Sequence, residues 1–483
     1  MQAQGLLGIG LIYAVAYAIS NNRKAISWRL VSSGLALQVV LAIFILKIPM
    51  GKQLFHWLGQ VVERILSFAD AGGGFVFGPL VSDKAKMVSL FGPAGGFIFA
   101  FKLVPTIIFV ATLVAIAYHI GLMQRVVQAI AWAVNRVLGA SGAEALSNTA
   151  SVFVGQVEAQ LLIKPYVDTL TQSELLTVMA GSMACIAGGV MAVYIQMGIP
   201  AEYLMAASIM AVPGALVISK IVYPETEASL TRGEVKVAVD THTVNVIDAA
   251  AHGASDGLKI GLNVCAMLIG FIALIAMLDF VIAQLGLLLA GMGLSAQSLG
   301  LDLSALSLKG ILGALFYWVA LALGVPSQDA TLVGGLMGTK LVVNEFVAYT
   351  SLSPLITAKA LAPKSIAIAS FALCGFANFS SIAMQIGGIG EMAPSRKADL
   401  ARLGLRALFC GTAASYVSSA LAGILLPPEG LNSDSLSVPV ESFESYLLPV
   451  LVMLVAIGVL VLGVVKNQDP NKVIDSFLEE RKP

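Results

Sequence analysis

Stretches without charge, each near the roughly twenty residues that a helix needs to cross a bilayer's hydrocarbon core, recur along the chain. They predict helices over residues 5–20, 30–46, 103–119, 175–195, 203–219, 260–278, 407–426 and 445–465. Nothing basic precedes the first run and Arg23 and Lys24 follow it. That order is wrong for a signal peptide, so the run reads as a retained helix. Basic residues gather at Arg23, Lys24 and Arg29, at Arg396, Lys397, Arg402 and Arg406, and at Lys466, Lys472, Arg481 and Lys482. The positive-inside rule puts these segments in the cytoplasm, with the N-terminus outside and the C-terminus inside.

A different period appears in QLFHWLGQVVERILSFA, residues 53–69. Leu54, Trp57, Leu58, Val61 and Ile65 fall on one side of a helix, and Gln53, His56, Gln60, Glu63 and Ser67 on the other. Such a helix either lies in the membrane interface or caps the rest of the protein. The longest polar passage, residues 223–244, divides the chain into two apolar halves and reads as a cytoplasmic linker.

Composition agrees with the pattern. Of 483 residues, 58% are hydrophobic and only 12% charged, against about 25% charged in a soluble domain; mean hydropathy is +0.89. The expected fold class is therefore an all-α integral membrane protein in the lipid bilayer. Twenty-eight basic residues balance 28 acidic ones, which leaves no electrostatic footprint for nucleic acid. Cys185, Cys265, Cys374 and Cys410 are far apart with no C-x-x-C spacing, so they read as small apolar residues. The histidines, His56, His119, His242 and His252, are scattered, and neither H-E-x-x-H nor G-x-S-x-G occurs. This is not the sequence of an enzyme.

The two halves echo one another. LGASGAEA (138–145) is matched by LGVPSQDA (323–330), each ending in an acid followed by Ala. An acid in an apolar setting follows in each, Glu158 and then Glu345. A Lys and a Pro come next, Lys164 and Pro165 or Lys359 and Pro363, and a new helix starts at QSEL or PKSI. The helices that begin there carry small and polar runs, 181–189 and 374–385. Paired repeats with re-entrant hairpins and interrupted helices are an architecture of secondary transporters, which bind solute near the midplane. An intramembrane carboxylate marks a functional site by default. Plainer readings also fit: Glu158 paired with Lys164, Glu345 with Lys340, and Asn378, Ser380 and Ser381 merely joining helices. A channel, or a symporter for another small polar solute, would share this topology.

GQVEAQLLIKPYV together with the following helix, GTKLVVNEFVAYTSL, and CGFANFSS resemble the signatures of the concentrative nucleoside transporter family, above all its bacterial members. The likeness covers about 103–426, and G-x-K-x-x-x-N-E-F-V-A is its most specific element. It implies a homotrimer in which scaffold helices hold a moving transport domain; counting the apolar run at 445–465, the chain is expected to have about nine transmembrane helices, with two re-entrant hairpins, interfacial helices and an internal inverted repeat. The expected organisation is N-terminal scaffold and interfacial helix over 1–100, first transport repeat with hairpin 1 over 101–222, and linker over 223–257. The second repeat with hairpin 2 follows over 258–426, and an additional C-terminal helix, outside the family's core, over 444–466.

By the same resemblance Gln156 and Glu158 bind the nucleobase, with Val190 touching it and Val157 standing where a Thr or Ser is usual. Glu345, Phe376, Asn378 and Ser381 hold the ribose. No cofactor is implied beyond a coupling ion. Sodium-driven relatives supply carbonyls, here those of Val154 and Ile186, and side-chain oxygens at positions occupied here by Ser151 and Cys185. A thiol is a poor ligand for a hard cation, which leaves sodium and proton coupling both open. The implied function is ion-coupled import of nucleosides such as uridine across a bacterial inner membrane by alternating access.

Overall fold

The computed structural model describes residues 2–82, 84–91, 98–231, 243–292, 303 and 306–427, and within them every regular element is helical. The N-terminal part comprises α1 (Gln2–Ala18), α2 (Trp28–Leu46), α3 (Pro49–Ser67), the short α4 (Ala69–Phe77), α5 (Pro79–Ser82) and α6 (Lys84–Phe91), then α7 (Phe99–His119) and α8 (Leu122–Leu138). A first set of five follows: α9 (Gly142–Ala150), α10 (Glu158–Leu161), α11 (Gln172–Ala184), α12 (Gly188–Gln196) and α13 (Ala201–Val222). After α14 (Val246–Gly291) and α15 (Leu308–Ala322) comes the second: α16 (Ser327–Val342), α17 (Glu345–Thr357), α18 (Pro363–Leu373), α19 (Phe379–Met392) and α20 (Lys397–Leu425).

The two sets follow the same plan, and the sequence echoes fall at matching places. Gly139 and Gly324, the second residues of the echoed motifs, both have positive φ, +68° and +97°, in the turn before each hairpin helix. Glycine takes that conformation without steric cost. The two echoed acids tie down the hairpin bases. Glu144 completes a capping box with Ser141 and pairs with buried Lys220 at 2.5 Å. Asp329 accepts bonds from the Ala362 N–H (3.0 Å) and the Ser365 hydroxyl (2.5 Å) at the start of α18. QSEL and PKSI do start helices, α11 through the Thr171–Glu174 capping box and α18 through Pro363 in its first turn.

Among the described residues, α2, α7, α13, α14, α20 and the α11–α12 pair taken together are long and apolar enough to span a bilayer, and α15 with α16 forms a further candidate bent by 117° at its break. The shorter apolar α1 and α18 add to these, while the expected helix at 445–465 lies outside the described residues. The predicted span 175–195 is interrupted at Cys185–Ala187, between α11 and α12. Helix α14 begins at Val246, inside the range 223–257 expected for the linker, capped by the Asn245 side chain.

Burial separates inner from outer helices. In the most apolar window of α13, 89% of residues are buried, and in that of α14 only 6%. Helix α14 lies against α7 along Gly253, Gly257 and Gly261, where a Cβ would meet Ala115, Ile108 or Val104. Small residues at four-residue spacing let membrane helices approach closely. The amphipathic α3 exists, but its buried face is not the expected one. The buried line is Gly51, Phe55, Gly59 and Leu66, with Ile65 exposed. Gly51 sits on the Phe44 carbonyl and Gly59 against Ala201, close approaches that a hydropathy pattern does not register.

Candidate functional site

Hairpin 1 turns through residues 151–157, where α9 ends and no regular helix replaces it until Glu158. The Glu158 carboxylate is folded over Gly155, where a Cβ would displace it. Inside the tip, Gln160 bridges Ser147, which donates to its Oε1 at 2.7 Å, and Ser182, to which its Nε2 donates at 2.6 Å. Four residues earlier, buried Gln156 donates from Nε2 to the Ser381 hydroxyl at 3.3 Å and lies 3.5 Å from the Met384 sulfur. Val157 packs on Gly388, where a Cβ would collide with it. The hairpin tip is thus docked on α19.

Hairpin 2 is built differently. Helix α16 breaks at Val343–Asn344, and the Asn344 side chain caps α17 by accepting from the Val347 N–H at 2.9 Å. Glu345 is therefore the first residue of α17, buried to 5% exposure, at the positive end of the helix dipole. Both of its oxygens have partners: Tyr194 OH donates to Oε1 at 3.2 Å and Asn378 Nδ2 to Oε2 at 3.1 Å. Asn378 in turn caps α19. Its Oδ1 accepts from the Ser381 N–H (3.0 Å), the Ser381 hydroxyl (3.2 Å) and the Ser380 hydroxyl (2.6 Å). A continuous polar path, Gln156 to Ser381 to Asn378 to Glu345, runs from one hairpin to the other.

The two interrupted helices cross where their backbones are unwound. The Phe376 N–H donates to the Cys185 carbonyl at 3.3 Å, and Gly375, at φ +114°, sits against the carbonyls of Met183 and Ala184. Irregular backbone at membrane depth persists where protein supplies its partners. Phe376 and Val190 are half-buried beside this crossing, packed against the same apolar core.

Glu158 departs from expectation. The sequence marks it as an acid in an apolar setting, but its side chain is exposed and hydrogen-bonds none of the residues above among those described. The cause is local: α10 is a single turn, Gln156 and Gln160 take its inward side, and Glu158 between them faces out, where its charge reaches Tyr118 of α7. Neither plain ion pair forms among the described residues. Lys164 is exposed, and Lys340 donates to backbone carbonyls instead. Tyr194 was missed by sequence reasoning; the available signal was its place four residues after Val190, on the same face of α12.

The donor set can be compared with what a sodium ion needs. Ser151 is buried and its hydroxyl donates to the Ser147 carbonyl at 2.9 Å, leaving its lone pairs available. The carbonyls of Val154 and Ile186 lie outside helices and accept no hydrogen bond among the described residues. Cys185 is buried, with its thiol 3.8 Å from the Ser208 carbonyl. Two free carbonyls and a hydroxyl fit a hard monovalent cation, and the sulfur does not.

Residues 203–423 match the profile described as Na+ dependent nucleoside transporter C-terminus, residues 7–80 that of its N-terminus, and residues 100–201 one described as nucleoside recognition. The chain is 38% identical over 431 residues to the nucleoside permease NupC of Helicobacter pylori, covering 89% of this chain and 98% of that one. The chain belongs to the concentrative nucleoside transporter family. It is also 38% identical over 465 residues to the human sodium/nucleoside cotransporter 1, covering 92% of this chain and 68% of the human protein. Its fold matches the inward-facing, substrate-bound structure of CNTnw at a TM-score of 0.79 and 40% identity, over 88% of this chain and 98% of that one. Membership makes this concentrative nucleoside transporter an integral membrane protein and a carrier of nucleosides, not an enzyme.

Proposed function

We propose that this protein is a sodium-coupled symporter that imports nucleosides such as uridine across a bacterial inner membrane by alternating access. The observation that carries the reading is the polar path joining Gln156 to Glu345 through Ser381 and Asn378. Glu345 and Asn378 would accept and donate to the vicinal ribose hydroxyls. Gln156, with Oε1 free of protein partners among the described residues, would meet the base. Val190 and Phe376 offer apolar faces, and Val157 leaves the base side without a hydroxyl. Glu158 is exposed in this conformation, and its part in binding the nucleobase rests on the family resemblance.

Sodium would be held by the Val154 and Ile186 carbonyls and the Ser151 hydroxyl, and when bound it supplies fixed positive charge that orders hairpin 1 against the α11–α12 break. Uptake of radiolabelled uridine into proteoliposomes, under sodium and proton gradients imposed separately, is expected to follow sodium alone. The thiol at position 185 favours a second reading, proton coupling, which uptake driven by the proton gradient alone would establish. Cys185→Ser, which puts oxygen where sulfur stands, is expected to lower the sodium concentration for half-maximal uptake several-fold, as measured in the same vesicles.

The division into scaffold and transport parts, at the boundaries expected from sequence, and assembly as a homotrimer belong to the same proposal. Exposed apolar side chains on α14, among them Ile269, Met277 and Phe280, would face lipid or a second copy. Light scattering of the detergent-solubilised protein tests the assembly, and a monomeric mass would count against it.

A further inference from the structure

We propose that the Lys340 ammonium is a built-in cation, holding in the second repeat the place that the coupling ion takes in the first. The inference rests on the reading of Ser151, Val154 and Ile186 as the ion site.

The matched plan of the two repeats carries the comparison. In the first, the end of hairpin helix α9 approaches the α11–α12 break, and the carbonyls of Val154 and Ile186 there accept no bond among the described residues. In the second, the end of hairpin helix α16 approaches the α18–α19 break, and there a side-chain cation occupies two carbonyls. Lys340, in the last turn of α16, donates from Nζ to the Ala372 carbonyl at 2.9 Å and the Cys374 carbonyl at 3.3 Å. The lysine is 1% exposed and forms no ion pair among the described residues. Its partners are backbone oxygens at an unwound helix end, the donor type a monovalent cation would find.

Burying an ammonium without a paired carboxylate is costly, several kcal/mol after relaxation. Plain satisfaction of helix-end carbonyls does not require a charge; a serine hydroxyl already donates to Cys374, from Ser415 at 2.7 Å. What the charge adds is a fixed positive field. Lys340 stands five residues before Glu345, within electrostatic reach of its carboxylate, and its carbonyl contacts hold open the break that presents Asn378 to that carboxylate. The ribose half of the site thereby carries its own cation, while the base half is completed only when an ion arrives. Lys340 is a positioning residue by this account.

Uridine binding to the purified full-length protein, read by equilibrium binding in detergent without sodium and then with sodium, ammonium or methylammonium chloride, tests it. Lys340→Ala is expected to weaken binding about a hundredfold and to regain about tenfold of it with ammonium or methylammonium. Lys340→Met, which keeps the volume without the charge, is expected to melt near wild type, to lose binding equally, and to gain nothing from either salt. Wild-type binding by Lys340→Met overturns the proposal, as does a natively melting Lys340→Ala that no ammonium ion restores. If Lys340→Ala does not fold, binding by Lys340→Met alone decides. Should wild-type binding prove indifferent to sodium, the ion-site reading fails, while ammonium rescue would still show that the second repeat requires a cation.

Discussion

Glu345→Gln is expected to abolish measurable uridine uptake while leaving the protein inserted and folded. Both oxygens of this carboxylate are already fixed by Tyr194 and Asn378, so its remaining lone pairs point along set directions toward a bound ribose. An amide offers one accepting oxygen in place of two and carries no charge. Losing two charge-assisted bonds of about 1.5 kcal/mol each would weaken binding by about a hundredfold or more. The packing around it should survive, because Tyr194 packs on Tyr349 at 4.3 Å and meets Phe346 edge-on at 5.6 Å independently of the charge. The check pairs the variant with a deoxynucleoside. Removing a ribose hydroxyl should cost wild-type binding heavily and the variant little, since the two changes delete the same interaction. Equal losses in both proteins would remove Glu345 from the ribose.

The second large effect is expected at Gly375, away from any contact with solute. At φ +114° an L-residue is strained by about 1–3 kcal/mol. The added Cβ would also stand 2.6 Å from the Ala184 carbonyl oxygen and 2.7 Å from that of Met183. Relieving that overlap requires the two unwound breaks to separate, for a further 1–3 kcal/mol or so. Gly375→Ala should therefore lower the melting temperature in detergent and abolish uptake together, because the Phe376 to Cys185 bond and the placement of Asn378 depend on the same crossing. A variant that melts like wild type and transports would show that the breaks need not touch.

The two predictions differ in what made them visible. Glu345 stood out in the chain as a carboxylate among apolar residues, and so did the pairing of the repeats. Glycine, acid and helix start recur in order, and the structure uses them alike in both halves: Gly139 and Gly324 at positive φ, Glu144 and Asp329 at the hairpin bases. Gly375 did not stand out. In a chain with 47 glycines it is the φ of +114° combined with the approach of Met183 and Ala184 that marks it. Glu158 stood out in the chain in the same way, but its exposure was not legible, because whether a side chain on a one-turn helix faces in or out depends on which neighbours take the inward side. Gln156 and Gln160 take it here.

By itself the sequence determined the membrane class, most of the helices, the doubled plan and the kinds of side chain at the site. These follow from free energies that each residue carries with it: transfer of apolar side chains into lipid, the cost of an intramembrane charge, and capping by the residue next along the chain. Only the tertiary structure decided that the two helix breaks cross, that Tyr194 and Asn378 share Glu345, that Val157 sits on Gly388, and that Lys340 serves carbonyls and not the nearby acid. Those partners come from distant parts of the chain. Where helices are apolar on nearly every side, periodicity does not say which faces meet, and close packing of small residues with hydrogen bonding at the unwound segments settles it.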